Sequence, residues 1–526
     1  MSTESIRQAA EHFLNNETPF HLGDMLTEQS HPVTRRLSQT LAEDTAKGLE
    51  LLLRVDDDLP PVIDRVLASA EFARLRTDIL ETLQGGNRVV FSGCGATGRL
   101  AIMLDAAHRK FCANAAARFP AHRAFFLALL EQTAAIMTGG DFALIRSVES
   151  FEDFIPFGQR QVRDLGMGPG DCLVAISEGG ETSSVIGTIH GALDAGCRAH
   201  FMFNNPAALL VRKVERSRKV ITDPRVNILD LATGPMAVAG STRMQATTME
   251  LLIAGLAFEA ALSDFLSETL PAPVMQTLIP ATSTPGETAA RFRQLLQRLR
   301  SPENLRALAA WTDFERDIYA KSGLVTYFPD EYMIDIFTDT TERSPTFTTP
   351  PFRSTLEPQN PVSWAFVKDP LRDADAAWRN MLGHAPRCIT WTPDDYRAMN
   401  APERIIQNPP VIDHERLATY DIGRAPDASR TDVRPNAAVA FLIGREAAHL
   451  DNRDEDEWYQ AFARAGASFE RRAVILIGAQ RPATNPLDEI CFIEADIPTS
   501  PLEILAHLTV KLALNNVSTA TMGKLG

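Results

Sequence analysis

Three short turns carry the groups in this chain that could hold an anion. The first lies in "VVFSGCGATGRLAIML" (residues 89–104), where an apolar strand passes through Gly93, Cys94, Gly95, Ala96, Thr97 and Gly98 into an apolar helix. Glycines give such a turn backbone angles that other residues resist, and the first N–H groups of the helix are left free to meet an anion. The second, "AISEGGETSSV", again follows a strand and opens a helix, with hydroxyls from Ser177, Thr182, Ser183 and Ser184 and open backbone at Gly179 and Gly180. The third, "GPMAVAGSTRMQATTMELL", places Gly240, Ser241 and Thr242 ahead of a long helix. Together the three make a cradle for one phosphomonoester.

Other readings of these residues fit less well. No "GxxxxGK[ST]" string is present, and the G-x-G-x-x-G letters of "GCGATG" lack a ribose-binding acid about twenty residues on, where "NAAARFPAH" stands. The acids Glu149, Glu152 and Asp153 fall on helical text after Gly139 and Gly140, and Glu342 lies between hydroxyl residues and Pro345. By spacing alone, all of these read as solvated surface acids. His108 and Cys112 share a helix face, but no second cluster of His and acid accompanies them, so no metal site is expected.

These turns need a scaffold of strands that end where helices begin. After a helical, amphipathic stretch over residues 1–68, strand and helix patterns alternate: "RVVFSG", "FFLALLEQTAAIM", the helical "DFALIRSVESFEDF", "DCLVAIS", "RAHFMFN" and "VNILDL". This alternation predicts an α/β fold with a parallel sheet wrapped by helices over 69–269. In such sheets, ligands sit beyond the carboxyl ends of the strands. The Pro-, Ser- and Thr-rich run "LPAPVMQTLIPATSTPGE" starts a linker with helices over 270–320. A second series follows over 321–526: "GLVTYF", "EYMIDIFTD", "SWAFVK", "RCITWT", "AAVAFLIG", "AVILIG", "CFIEAD" and a closing helix, in an order that resembles the first and suggests a duplicated domain.

Composition narrows the classes. With 526 residues there is chain enough for more than one core. Acidic residues outnumber basic ones by 67 to 52, a net charge of -15, which argues against nucleic acid or an anionic membrane surface as partner. The 6 cysteines show no CxxC spacing and the opening residues lack the apolar core of a signal peptide, so a reducing, cytoplasmic setting is expected. The most apolar helical runs are broken by Glu131, Glu250, Glu259 and Asp264 and read as buried core helices rather than membrane spans.

Taken in order, the motifs "GCGATGRL", "TGGDFALIRSVESFED" and "AGSTRMQATT" resemble those of the sugar isomerase (SIS) domain family. The resemblance is to the group that contains the N-acetylmuramic acid 6-phosphate etherases and the glucokinase regulatory proteins, and it runs over most of residues 25–265. In the etherases a glutamate follows the phosphate loop; here the aligned string "LDAAHRKF" has Ala107. The second half supplies the missing acid as Glu342 in "DTTERSPTF", and its final helix offers Lys511 in a string like the family's own. Its counterparts of the phosphate turns, "FPDEYMI" and "LIGREAAHL", have lost the glycines and hydroxyls.

The resemblance therefore implies two tandem SIS domains arranged as a pseudo-dimer around one composite sugar-phosphate site. Its implied catalytic pair is Glu152 and Glu342, with Gly93, Gly95, Thr97, Gly98, Ser177, Gly179, Gly180, Thr182, Ser241, Thr242 and Lys511 binding substrate. Two carboxylates in different environments suit acid and base work without metal or cofactor. The implied activity is elimination of a lactyl ether followed by hydration. The alternative is a non-catalytic sensor that controls a sugar kinase partner. Gln245 replaces the family's lysine, which removes a positive charge, whereas Thr97 keeps the hydroxyl of the family's serine.

Overall fold

A computed structural model of the chain describes residues 3–17, 21–148, 150–279 and 283–526; Glu149 and residues 280–282 of the proline-rich run lie outside the described residues. Five strands of the first half, β1 (Val89–Gly93), β2 (Thr133–Met137), β3 (Cys172–Ile176), β4 (Arg198–Phe203) and β5 (Val226–Asp230), form a parallel sheet in the order β2-β1-β3-β4-β5. The second half repeats the design. Strands β6 (Leu324–Pro329), β7 (Ala365–Val367), β8 (Asn436–Ile443), β9 (Arg471–Gly478) and β10 (Asp488–Glu494) pair in parallel as β7-β6-β8-β9-β10. Reading β6 for β1 and so on, the two orders are the same, so the molecule is two tandem α/β domains of one topology.

Apolar runs without alternation explain the parallel pairing. Every residue of β1, β2, β3, β6 and β8 is buried, as expected for strands covered on both faces by helices. The first half is entered through the helices Thr3–Asn16, Leu37–Glu43, Thr45–Arg54 and Leu59–Leu67, linked in part by single 3-10 turns. The proline-rich run is a short helix, Ala272–Leu278, and the next helix starts at Pro285 behind a capping box of Thr284 and Glu287.

Three sequence expectations are corrected. "FFLALLEQTAAIM" is a helix, Arg123–Leu130, followed by the strand β2. The stretch expected to be helical around Glu152 and Asp153 is a 3-10 turn, Asp141–Leu144, and then irregular chain; the helix waits until Ile155–Leu165, where Pro156 in its first turn sets the start. "RCITWT" is not a strand, because its backbone bonds leave its own sheet: Arg387 O accepts from Asp141 N (3.1 Å) and Arg387 N donates to Asp141 Oδ2 (2.6 Å) in the first half.

The halves meet through helices. Gly95–Arg118 and Gln245–Thr269 of the first half pack against Met333–Phe347 and Ile504–Leu525 of the second, and each of these helices follows the corresponding strand in its own sheet. A buried charge set locks this joint. Arg243 Nη1 meets Asp339 Oδ1 at 3.1 Å and Arg243 Nη2 donates to Ser518 Oγ at 2.6 Å, while Ser518 Oγ donates to the same Asp339 oxygen at 2.8 Å. The other Asp339 oxygen takes Arg343 Nε (2.8 Å), whose guanidinium also holds the buried Glu315 (2.8 Å).

Removing one partner of such a set leaves an uncompensated buried charge. Asp339→Ala is expected to cost about 3–5 kcal/mol of unfolding free energy, read from urea denaturation, because it strands two guanidinium groups. A wild-type midpoint would show that the joint does not depend on this carboxylate.

Candidate functional site

The first turn is shaped by close packing. Gly93 ends β1 where a Cβ would lie 2.4 Å from the Thr97 carbonyl carbon, so only glycine lets the strand meet the helix there. Gly95 has φ +55, a conformation that glycine adopts without strain, and opens the helix Gly95–Arg118 with free space beside it. The Thr97 hydroxyl closes the turn on itself, donating to Cys94 O (2.9 Å) and accepting from Cys94 N (3.0 Å).

A cavity of about 420 Å³ lies beyond the carboxyl ends of β1 and β3, at the point where the strand order reverses. All three turns line it, through Cys94, Gly95 and Ala96 of the first, Glu178 and Thr182 of the second, and Gly240, Ser241, Thr242 and Arg243 of the third. Glu152 adds a carboxylate from the first half. Glu342, Pro345 and Thr346, on the helix Met333–Phe347 of the second half, complete the wall. No single domain contains this site.

Of the residues singled out in the sequence, Gly95, Thr182, Ser241, Thr242, Glu152 and Glu342 line the cavity. Gly93, Thr97, Gly98, Ser177, Gly179 and Gly180 do not; they build the turns beneath it. Ser177 Oγ accepts from Gly180 N (3.1 Å) and pairs with Thr182 Oγ1 (3.0 Å), which positions Thr182 at the rim. Lys511 is also placed behind the wall. Its ammonium donates to Arg243 O, Met244 O and Thr248 Oγ1 at 2.9–3.0 Å, tying down the third turn and the helix that follows. It shares with Glu342 a small internal cavity of about 30 Å³.

Two groups at or beside the cavity escaped the sequence reading. Arg99, fully buried at the start of the second turn of its helix, pairs with Glu342 Oε1 at 2.6 Å and donates to Leu144 O at 3.0 Å. A cation in "GRLAIML" must have a buried partner, and that was the available signal. Glu178 is the second. An acid two residues beyond the end of a buried strand is placed where a ligand would be.

The electrostatics set the carboxylates apart. Burial pushes the Glu178 carboxyl up to about 8, with Glu342 and Glu181 adding repulsion and a hydrogen bond with Thr242 opposing it. Glu342 has the Arg99 guanidinium beside it, whereas Glu152 is exposed and accepts from Cys94 Sγ at 3.6 Å. Burial, reinforced by Glu152, holds the Cys94 thiol well above its ordinary range. Behind the wall, burial pulls the Lys511 ammonium down to about 7, opposed by the attraction of Asp56. The cavity thus presents one desolvated carboxyl, one paired with a guanidinium and one facing solvent, around hydroxyls and helix-start N–H groups. That set can seat a small anion and move protons on either side of it.

His108 and Cys112 meet only each other and their surroundings. Cys112 Sγ lies 3.5 Å from His108 Nε2, His108 Nδ1 bonds Thr133 Oγ1 at 2.9 Å, and burial lowers the imidazole to about 4. Among the described residues no group of three or more His, Cys, Asp or Glu is placed to hold a metal ion, and no helix is long and apolar enough to cross a membrane.

The family model of the glucokinase regulatory protein N-terminal SIS domain matches residues 71–193. N-acetylmuramic acid 6-phosphate etherase 1 of Bacillus licheniformis is 25% identical over 289 residues, 52% of this chain and 85% of that protein. The N-acetylmuramic acid 6-phosphate etherase of Yersinia pestis is 30% identical over 236 residues, 44% of this chain and 68% of that protein. Each thus accounts for about half of this chain. The C-terminal domain of glucosamine-fructose-6-phosphate aminotransferase from Francisella tularensis overlies 93% of this chain and 96% of its own at a TM-score of 0.43 and 12% identity, too loose a likeness to bear on function.

The raised pKa of Glu178 makes a pH prediction. Its folded value of about 8 lies above the ordinary 4.5, so the stability contributed by its neutral form is present below about 4.5 and is lost as pH rises through 8. Glu178→Gln, neutral at every pH, should show a smaller loss of Tm between pH 6 and pH 9 than the wild-type chain. Equal losses in the two proteins would mean that Glu178 ionises normally.

Proposed function

The chain belongs to the N-acetylmuramic acid 6-phosphate etherase family, and from that membership we propose that its composite cavity binds a phosphorylated amino sugar and cleaves a lactyl ether from it. The observation that carries this reading is the single cavity in which Glu342 from the second half joins Glu152 and three hydroxyl-bearing turns from the first.

In this scheme the phosphate sits against the start of the helix Gly95–Arg118 and the hydroxyls of Thr182, Ser241 and Thr242, where backbone N–H groups and the helix dipole favour negative charge. The sugar opens to its aldehyde. A carboxylate, Glu152 or Glu342, takes the proton from the carbon next to that aldehyde, and the electron pair forms the carbon–carbon double bond as the ether C–O bond breaks. The departing lactate oxygen takes a proton from a carboxylic acid. Glu178, neutral below about pH 8, is the group whose protonation suits it to that donation. Water then adds across the double bond. Arg99 holds Glu342 in place and Lys511 braces the turn that carries Ser241. No step needs a metal or cofactor.

The match of residues 71–193 to the regulatory-protein domain favours a second reading, in which the cavity binds a sugar phosphate without turnover and the chain controls a sugar kinase. One experiment separates them. The purified chain is expected to release D-lactate from N-acetylmuramic acid 6-phosphate, and at least one of Glu152→Gln and Glu342→Gln, the one that removes the base, is expected to lower turnover by about 10²- to 10⁴-fold. Wild-type rates in both variants would overturn the roles assigned to these acids. No release from the wild-type chain, with a Tm raised by fructose 6-phosphate or glucosamine 6-phosphate, would leave the sensor.

A further inference from the structure

Because the two sheets share one strand order, the second domain has its own edge where the order reverses, between β6 and β8. A second cavity, of about 350 Å³, opens there. Part of its wall corresponds to that of the first, although no residue of the loop after β6 lines it where Cys94, Gly95 and Ala96 line the first. Glu342, Pro345 and Thr346 close the first cavity from the opposite half at positions i, i+3 and i+4 of their helix; Ala107, Lys110 and Phe111 close the second at the same spacing on Gly95–Arg118. Glu178 stands two residues beyond β3, and Arg445 stands two residues beyond β8. Ser241 precedes the helix Gln245–Thr269 by four residues, and Ser500 precedes Ile504–Leu525 by four.

The correspondence is one of position, with the charges reversed. Where the first cavity has the carboxylates of Glu178 and Glu342, the second has the guanidinium of Arg445 and the methyl of Ala107, and Pro345 is answered by the ammonium of Lys110. Arg118 lines the same cavity and makes no ion pair among the described residues. The facing groups are Glu331, shared by Lys110 Nζ (3.1 Å) and Arg445, Glu503, which lies 3.5 Å from Arg445 Nη1 and accepts from Tyr332 OH (2.9 Å), and His507, bonded to Asp335. Arg445, Lys110 and Arg118 face Glu331 and Glu503, with the buried Glu259 behind the loop taking the Ser500 hydroxyl and Leu502 N, and the Arg445 side chain is 58% exposed, so its pairings are open to competition.

We propose that this second cavity is a separate binding site for a small phosphate monoester, held by Arg445 and Lys110. A dianion is specified because the ligand must displace carboxylates already paired with these cations, and a phosphate carries more charge and more acceptor oxygens than a carboxylate. The site goes beyond the reading of the first cavity and does not depend on that cavity being catalytic.

Calorimetric titration of the full chain with inorganic phosphate tests it. The wild-type chain is expected to show two classes of site. The double variant Lys110→Gln/Arg445→Gln should weaken one class by roughly 10- to 100-fold, the loss expected for charge-assisted hydrogen bonds. Ser241→Ala/Thr242→Ala in the first cavity should leave that class intact, and Lys110→Arg/Arg445→Lys, which keeps both charges, should largely restore it. An unchanged titration in Lys110→Gln/Arg445→Gln would overturn the proposal. So would a wild-type titration whose only sites vanish with Ser241→Ala/Thr242→Ala.

Discussion

The contact between Arg243 and Asp339 is the constraint on which the rest of the molecule depends. Arg243 belongs to the third turn of the first domain, and Asp339 to the helix Met333–Phe347 of the second, one turn before Glu342. The same ion pair thus fixes the loop that carries Ser241 and Thr242 and the helix that brings Glu342 to the cavity. Both ions are buried, so the pair is a device for position more than for net stability; desolvation offsets much of its Coulombic attraction, and misalignment would leave charges in an apolar joint.

Around this joint the chain has divided the labour of its two halves. The first supplies tight, glycine-bearing turns, and the second has replaced the matching residues with bulkier, charged ones such as Glu331 and Arg445. The helix that follows the first strand of each sheet reaches across to the other half's cavity, so Ala107 and Glu342 face different cavities. A duplicated architecture with unequal side chains yields two chemically distinct hollows from one strand order.

The surroundings of the acids decide what each can do. Glu178, Glu342 and Glu152 are chemically the same group, yet one is desolvated, one sits against a guanidinium and one faces water. Such separation of environments lets one site hold a proton donor and a proton acceptor at a single pH. Arg99 and Lys511 work from behind the wall, one on the Glu342 carboxylate and the other on the turn that presents the hydroxyls.

By itself, the sequence determined the strands, because "VVFSG", "CLVAI", "AAVAFLI" and "AVILIG" are too apolar to lie anywhere but inside a covered parallel sheet, and it determined the turns that follow β1, β3 and β5. Local steric needs are written locally, as at Gly93 and Gly95. It singled out Glu152 and Glu342 only through motif resemblance, since spacing does not distinguish either from a surface acid. The tertiary structure alone decided that "RCITWT" bonds to the other domain instead of forming a strand, that Thr97 and Ser177 spend their hydroxyls inside the turns, and that Lys511 lies behind the wall. It also decided that Arg99 reaches Glu342 and that burial raises Glu178. Each of these depends on groups far apart along the chain, and on how much water is left between them once two domains have packed together. No local pattern of residues encodes that distance or that desolvation.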